Sequence, residues 1–284
     1  MFELKNKKLA PLFLFASAVL WSSIGVFTKS VPWDGVCLST LRGTIAAVVT
    51  GFLLHGRRIH LTRKKVLMAI CYFLQGLLLL CANKYTTAAN AAVLQNTSPL
   101  YIILFNAVLA KKWPTKAEKI TCACLFSGVA LAFAGNMHGG GTLGNCLALV
   151  SAVFYAGVFF LSKEDGTDVL ESLFLGNACY LFLLPVLVTN DTVRAATAYE
   201  WAFVVLSATL SGVGAWMCFA VGIKYTSALQ ANFITMAEPV LSPVWTYIFL
   251  HEVLTATSAV GCAVVLTTLL VYNVYNTRHA QAQA

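Results

Sequence analysis

Ten long apolar runs divide the chain, each close to the ~20 residues that carry a helix across the hydrocarbon core of a bilayer. They cover Leu9–Thr28, Val36–His55, Lys65–Cys81, Thr86–Ala110, Ala117–Gly135, Thr142–Ser162, Leu170–Thr189, Trp201–Ile223, Thr226–Leu250 and Val253–Tyr275. Short polar segments separate them. Backbone groups in lipid must be satisfied within the spanning segment, so the runs predict helices. The alternation of apolar and polar residues that marks a membrane barrel strand is absent.

The pattern also repeats. Lys84–Pro99 reads KYTTAANAAVLQNTSP and Lys224–Pro239 reads KYTSALQANFITMAEP, at a constant offset of 140 residues. Ser17-Ala18-Val19-Leu20-Trp21 returns as Ser151-Ala152-Val153-Phe154-Tyr155, and that match runs on to Lys29 and Lys163. The second match crosses Ala16-Ser17-Ala18, which resembles a signal-peptidase site, so the first run is expected to be a retained helix. Five spans per copy is an odd number, so the second copy enters the membrane with opposite orientation. The expected architecture is an all-α integral membrane protein of ten transmembrane helices in two inverted five-helix repeats. Residues 1–136 form the first, 137–141 a Gly-rich linker and 142–284 the second.

Charge orients this layout. With the N-terminus in the cytoplasm, fifteen Lys and Arg residues fall in inside loops and tails. Only Lys29, Lys84 and Arg194 fall outside. This bias predicts a multi-pass plasma-membrane protein with both termini cytoplasmic, and it rests mostly on the first half. Composition agrees with lipid as the solvent. Of 284 residues 59% are hydrophobic and 11% charged, and mean hydropathy is +0.77. A soluble domain carries roughly 25% charged residues. The net charge of +8 is spent on loops, with no nucleic-acid-reading motif beside it, so no nucleic-acid partner is expected. Nine cysteines lie mostly inside apolar runs without ligand spacing, and neither a metal nor a disulfide framework is expected.

Two full charges sit well inside the runs, Arg42 and Glu238. Each costs about 2.5–3.5 kcal/mol near the bilayer centre on insertion scales. Glu238 therefore calls for a proton, a cationic ligand or a charged partner, or else serves as a structural hydrogen bond to a neighbouring helix. Arg42 has three open roles: snorkelling toward the interface, binding a substrate carboxylate, or pairing with Glu238. Thr235 and Glu238 share a polar helical face, and Asn90, Gln95, Ser98, Tyr101 and Gln230 mark polar edges in the repeated segments. Trp21 and Tyr155 occupy matching places and are candidates to wall a cavity. Pro99 and Pro239 match between copies, with Pro243 one turn further; each is expected to break its helix and free a carbonyl, those of Gln95 and Thr235 among them. Paired breaks of this kind point to a transport site, although kinks that only shape the bundle leave the same trace. No Gly-Lys dipeptide occurs, so there is no Walker A loop, and no cofactor is expected. Paired acids, a His cluster and a Ser–His arrangement are likewise missing, so no enzyme is expected.

Ala88–Pro99 with Leu109–Thr115, and Ala228–Pro239 with Phe249-Leu250-His251-Glu252-Val253-Leu254-Thr255, resemble paired EamA domains of the drug/metabolite transporter superfamily. Glu238-Pro239-Val240 and Glu252-x-Leu-Thr are the closest pieces. The first copy departs from the second, with Ser98 at the place of Glu238 and Lys112 at the place of Glu252. The resemblance implies a carrier with a central cavity, lined by helices one to four and six to nine. It implies a small organic substrate such as an amino acid, often moved outward. The expectation is a secondary-active exporter working by alternating access, in contact with lipid and open to forming a homodimer. The competing expectation is a membrane-embedded binding or scaffold protein that moves nothing.

Overall fold

The computed structural model describes residues 9–56, 59–108, 111, 113–134, 141–162, 164, 166–226, 234–253 and 255–282. Among these residues there is no strand. The helices are α1 (Ala10–Ser22), α2 (Ile24–Lys29), α3 (Gly35–Leu53), α4 (Arg63–Tyr85), α5 (Ala88–Gln95), α6 (Ser98–Val108), α7 (Lys116–Ala134) and α8 (Thr142–Ser162). They continue as α9 (Val169–Ala178), α10 (Leu184–Val188), α11 (Asp191–Arg194), α12 (Ala198–Leu206), α13 (Ala215–Gly222), α14 (Ala237–Leu250) and α15 (Ala256–Ala282). Among the described residues, six helical runs of 19 to 25 residues are long and apolar enough to cross a bilayer, and Ala256–Tyr272 is a shorter apolar one. The run expected as one span over Thr86–Ala110 is two helices, α5 and α6. The Gly-rich linker at 137–140 lies outside the described residues, as does Gln230.

The helices are capped where the sequence supplies side-chain oxygens, and several of the caps fall in repeat-related pairs. Asp34 accepts from the Cys37 amide at the start of α3, and Asp168 accepts from the Leu170 and Glu171 amides at the start of α9. Thr62 caps α4 and Thr197 caps α12. Thr115 and Glu118 bond reciprocally ahead of α7, and Thr255 accepts from Ser258 at α15. Lys111 and His251 both hold φ of 52°, and at His251 this left-handed residue is the C-cap that ends α14.

Neighbouring helices run in alternating directions between two ends of the bundle. At one end Lys29 meets Glu252, Lys84 donates to the Val31 carbonyl, Trp33 donates to Glu200 and Asn190 donates to Asp34. At the other, Lys64 meets Glu164 and Lys65 meets Glu171, joining the start of α4 to the α8–α9 turn and to α9. These are called below the Lys29 end and the Lys65 end. The repeated lysines part accordingly. Lys84 is at the Lys29 end, whereas Lys224 follows the helical run that leaves Glu200 beside Trp33 and terminates at Gly222, against Ala10 and Leu14.

Close packing depends on small residues, as membrane helices require. A Cβ added at Gly43 of α3 would lie 2.0 Å from the Tyr180 ring, and one at Gly76 of α4 would lie 2.8 Å from its hydroxyl. That ring is held in place, because the hydroxyl donates to the Phe73 carbonyl at 3.0 Å. Gly43→Ala gains up to about 1 kcal/mol of helix propensity but forces a fixed ring to move, an overpacking cost of about 1–3 kcal/mol. The overpacking is expected to win. A lower melting midpoint of the detergent-solubilised variant is the expected result; an unchanged one would mean that Tyr180 relocates freely.

Candidate functional site

Both repeated proline segments interrupt a helix, at matching places. The first break is Asn96-Thr97, between α5 and α6. The second is Met236, which precedes α14. The prolines are not at the breaks themselves. Pro99 and Pro239 lie in the first turn of the helix that follows, where a missing amide hydrogen costs little because first-turn donors have no partner within the helix. Pro243 is inside α14, which continues through it.

Around these breaks are two adjoining spaces. A central cavity of about 40 Å³, room for a few waters, is lined by Trp21, Arg42, Gln75, Gln95, Tyr155, Trp216 and Glu238 together with Ser39, Tyr72, Gly76, Asn177, Tyr180, Ser211 and Gly212. A vestibule of about 460 Å³ lies toward the Lys65 end, where Ser162, Glu164, Val169 and Ile223 line it. Deeper in, its wall comes from Asn96, Ser98, Pro99, Ile102, Phe159, Phe219, Thr235 and Met236. Tyr155 belongs to both linings and stands between the two spaces.

The polar groups of the cavity are organised through one another. The Gln95 amide donates to the Ser151 hydroxyl at 3.1 Å, and Ser151 donates to the Gln75 carbonyl at 3.0 Å. This chain holds α5, α8 and α4 together and fixes the Gln95 side chain. Glu238 is buried in the first turn of α14, with the Asn96 amide facing its carboxyl. Arg42 donates to the Ser207 carbonyl at 3.3 Å and to the Ser211 hydroxyl at 3.5 Å. Ser207–Gly214 is a π-helical stretch, whose wider turns offer carbonyls that an α-helix would keep to itself. Arg42 and Glu238 thus share a cavity without forming an ion pair, and pairing with each other is not how these charges are accommodated.

Aromatic edges frame the rest. Trp21 stands edge-on to Trp216 with centroids 5.0 Å apart, Tyr72 meets Trp216 at 5.3 Å, and Tyr155 meets Phe159 at 4.9 Å. The structure therefore brings Trp21, Arg42, Gln95, Tyr155 and Glu238 to one cavity and Ser98, Pro99 and Thr235 to the adjoining vestibule. It does not bring Asn90 to either. That side chain is fully buried, donating to the Ala132 carbonyl and the Asn145 side chain at 3.4 Å and accepting from Cys262, so it joins α5 to α7, α8 and α15. Tyr101 is half-buried on α6 and lines neither space. Trp216, Tyr72, Gln75 and Tyr180 are cavity residues that the sequence reading missed. One signal was available: Tyr72 and Gly212, and Gly76 and Trp216, are repeat partners at the 140-residue offset, each pairing a large residue with a glycine.

A family model described as the EamA-like transporter family matches residues 8–134 and again residues 142–274. The chain belongs to the EamA-like transporter family. This makes it a multi-pass membrane transporter in contact with the bilayer. Relatives along nearly its whole length carry names of the same kind. An "Uncharacterized transporter" of Archaeoglobus fulgidus is 26% identical over 265 residues, covering 90% of this chain and 93% of the relative. The "Uncharacterized transporter YetK" of Bacillus subtilis is 26% identical over 275 residues, covering 88% and 82% respectively. A solved crystal structure superposes with a TM-score of 0.65 at 20% identity, over 95% of this chain and 99% of that one, which places this EamA-like chain in the same fold.

Proposed function

We propose that this EamA-like protein is a secondary-active exporter of small organic metabolites of amino-acid type, built from two inverted five-helix repeats of ten spans in all and working by alternating access. The observation that carries the reading is the pair of helix interruptions, Asn96-Thr97 and Met236, at repeat-matched positions beside one cavity. Interrupted helices at corresponding places of two halves are the pattern expected of a midplane transport site. Residues 1–136 and 142–284 are the two repeats in this reading, and the Lys65 end faces the cytoplasm with both termini. The loop charges support that orientation, and the vestibule would then admit substrate from inside, as export requires.

In this mechanism a solute enters past Ser98, Thr235 and Phe159, and Tyr155 moves aside to join vestibule and cavity. Gln95, held by Ser151, orients it by hydrogen bonding, Glu238 takes its ammonium group or a proton, and Trp21 closes over its apolar part. The direct test is purified protein in liposomes loaded with a mixed pool of amino acids and nucleosides. Faster efflux of at least one amino acid than from protein-free vesicles is expected. Efflux at the protein-free rate for the whole pool would favour the non-transporting binding protein instead.

A further inference from the structure

We infer that Arg42 is the anion anchor of the transport site, and that the substrates carry a carboxylate which this guanidinium holds. The inference rests on the transporter reading above. It begins from an unmet need. A guanidinium has five N–H donors in a rigid fork. Arg42 uses them for two long hydrogen bonds, 3.3 Å to the Ser207 carbonyl and 3.5 Å to the Ser211 hydroxyl, both on the π-helical stretch. Neither acceptor is charged, and none of the ion pairs among the described residues includes Arg42. A cation inside a membrane span without a carboxylate partner is costly, and such residues mark ligand pathways.

The surroundings fit a visiting anion. Gly212 leaves open backbone beside the guanidinium, since a Cβ there would lie 3.7 Å from Nη2. The neighbours that complete the wall, Ser39, Gln75, Tyr72 and Asn177, are neutral and able to hydrogen-bond. Glu238, the other charge of the cavity, stays unpaired with Arg42 and is free to meet a cationic group on the same ligand. The apolar remainder of the ligand extends past Tyr155 into the vestibule, where Phe159, Phe219 and Ile102 supply the wall. A planar carboxylate matches the fork of Arg with two parallel hydrogen bonds, which an uncharged amide cannot do.

The probes are L-phenylalanine, 3-phenylpropionate and L-phenylalaninamide, titrated calorimetrically into detergent-solubilised protein and then followed as fluxes in proteoliposomes. Wild type is expected to bind L-phenylalanine at least about tenfold more tightly than L-phenylalaninamide, which differs from it only at the carboxylate, a difference of about 1.4 kcal/mol, and to bind 3-phenylpropionate although it has no ammonium group. Arg42→Gln should abolish that preference. Arg42→Lys, which keeps the charge and loses the fork, should retain only part of it and guards against a Gln variant that fails to fold. Equal binding of amide and carboxylates by wild type, no carboxylate binding at all, or a preference that survives in Arg42→Gln would each overturn the assignment. A preference that depends on Arg42 without any flux would leave the anchor standing and remove the transporter reading. Flux without a carboxylate preference would do the reverse.

Discussion

Glu238→Gln is expected to reach the membrane at wild-type level and to lose most transport, by about tenfold or more. The substitution keeps shape and hydrogen-bonding capacity, so the Asn96 amide still has an acceptor and α14 still begins where it does. What disappears is the ability to exchange a proton or to hold a cation. Burying a carboxylate is costly, and replacing it by a neutral isostere removes that cost. The melting midpoint in detergent should therefore stay the same or rise while activity falls. Stability and activity moving in opposite directions is the signature of a group kept for function at the expense of stability. A merely structural carboxyl would give the other pattern, with both falling together through lost packing. Wild-type flux across the pH range in proteoliposomes would remove Glu238 from the mechanism altogether.

The bundle was legible in the sequence because lipid leaves the backbone few options. Runs such as Thr142–Ser162 appear in the structure with the bounds expected of them. The breaks were legible through Pro99 and Pro239, but their positions were displaced by two or three residues. A proline marks the start of the second half-helix rather than the gap before it. Asn90 shows where the reasoning runs out. A polar stripe identifies a face of α5 but not the neighbour that this face meets, and here it meets α7, α8 and α15 instead of the cavity. Trp216 and Tyr72 escaped notice for a different reason. Repeats are found by likeness, whereas the two halves line the cavity by exchange of a bulky residue for a glycine. The π-helical stretch that receives Arg42 left no trace, since Ser207–Gly214 reads as an ordinary small-residue helix.

Removing the carboxylate at position 252 should shift the protein toward the state open at the Lys29 end. Glu252 follows the left-handed turn at His251 and accepts from two elements at once: Lys29 Nζ at 2.5 Å and the Ala88 amide at 3.1 Å. One side chain thus ties the α14–α15 turn to the end of α2 and to the start of α5. Both members of the ion pair are mostly buried, with side-chain exposures of 23% and 16%. A charge-assisted bond of this kind contributes about 1.5–3 kcal/mol, so its loss should change the ratio of the two states by about tenfold or more. The repeat gives the closure a direction. At the places of Lys29 and Glu252 the other half has Lys163 and Lys112, two like charges. If the halves are inverted as proposed, the sequence offers this ion pair to the Lys29 end alone, which would favour the state with its vestibule at the opposite end. The measurement is the rate at which a membrane-impermeant maleimide modifies a cysteine placed at Thr86, a buried residue lining the recess of about 270 Å³ that Lys29, Lys84 and Glu252 share. With the parent lacking that cysteine as background, Glu252→Gln should raise the rate about tenfold, and Lys29→Met should do the same without adding to it, because the two changes break one contact. Independent, additive effects, or no change in either variant, would mean that the pair does not hold the end closed.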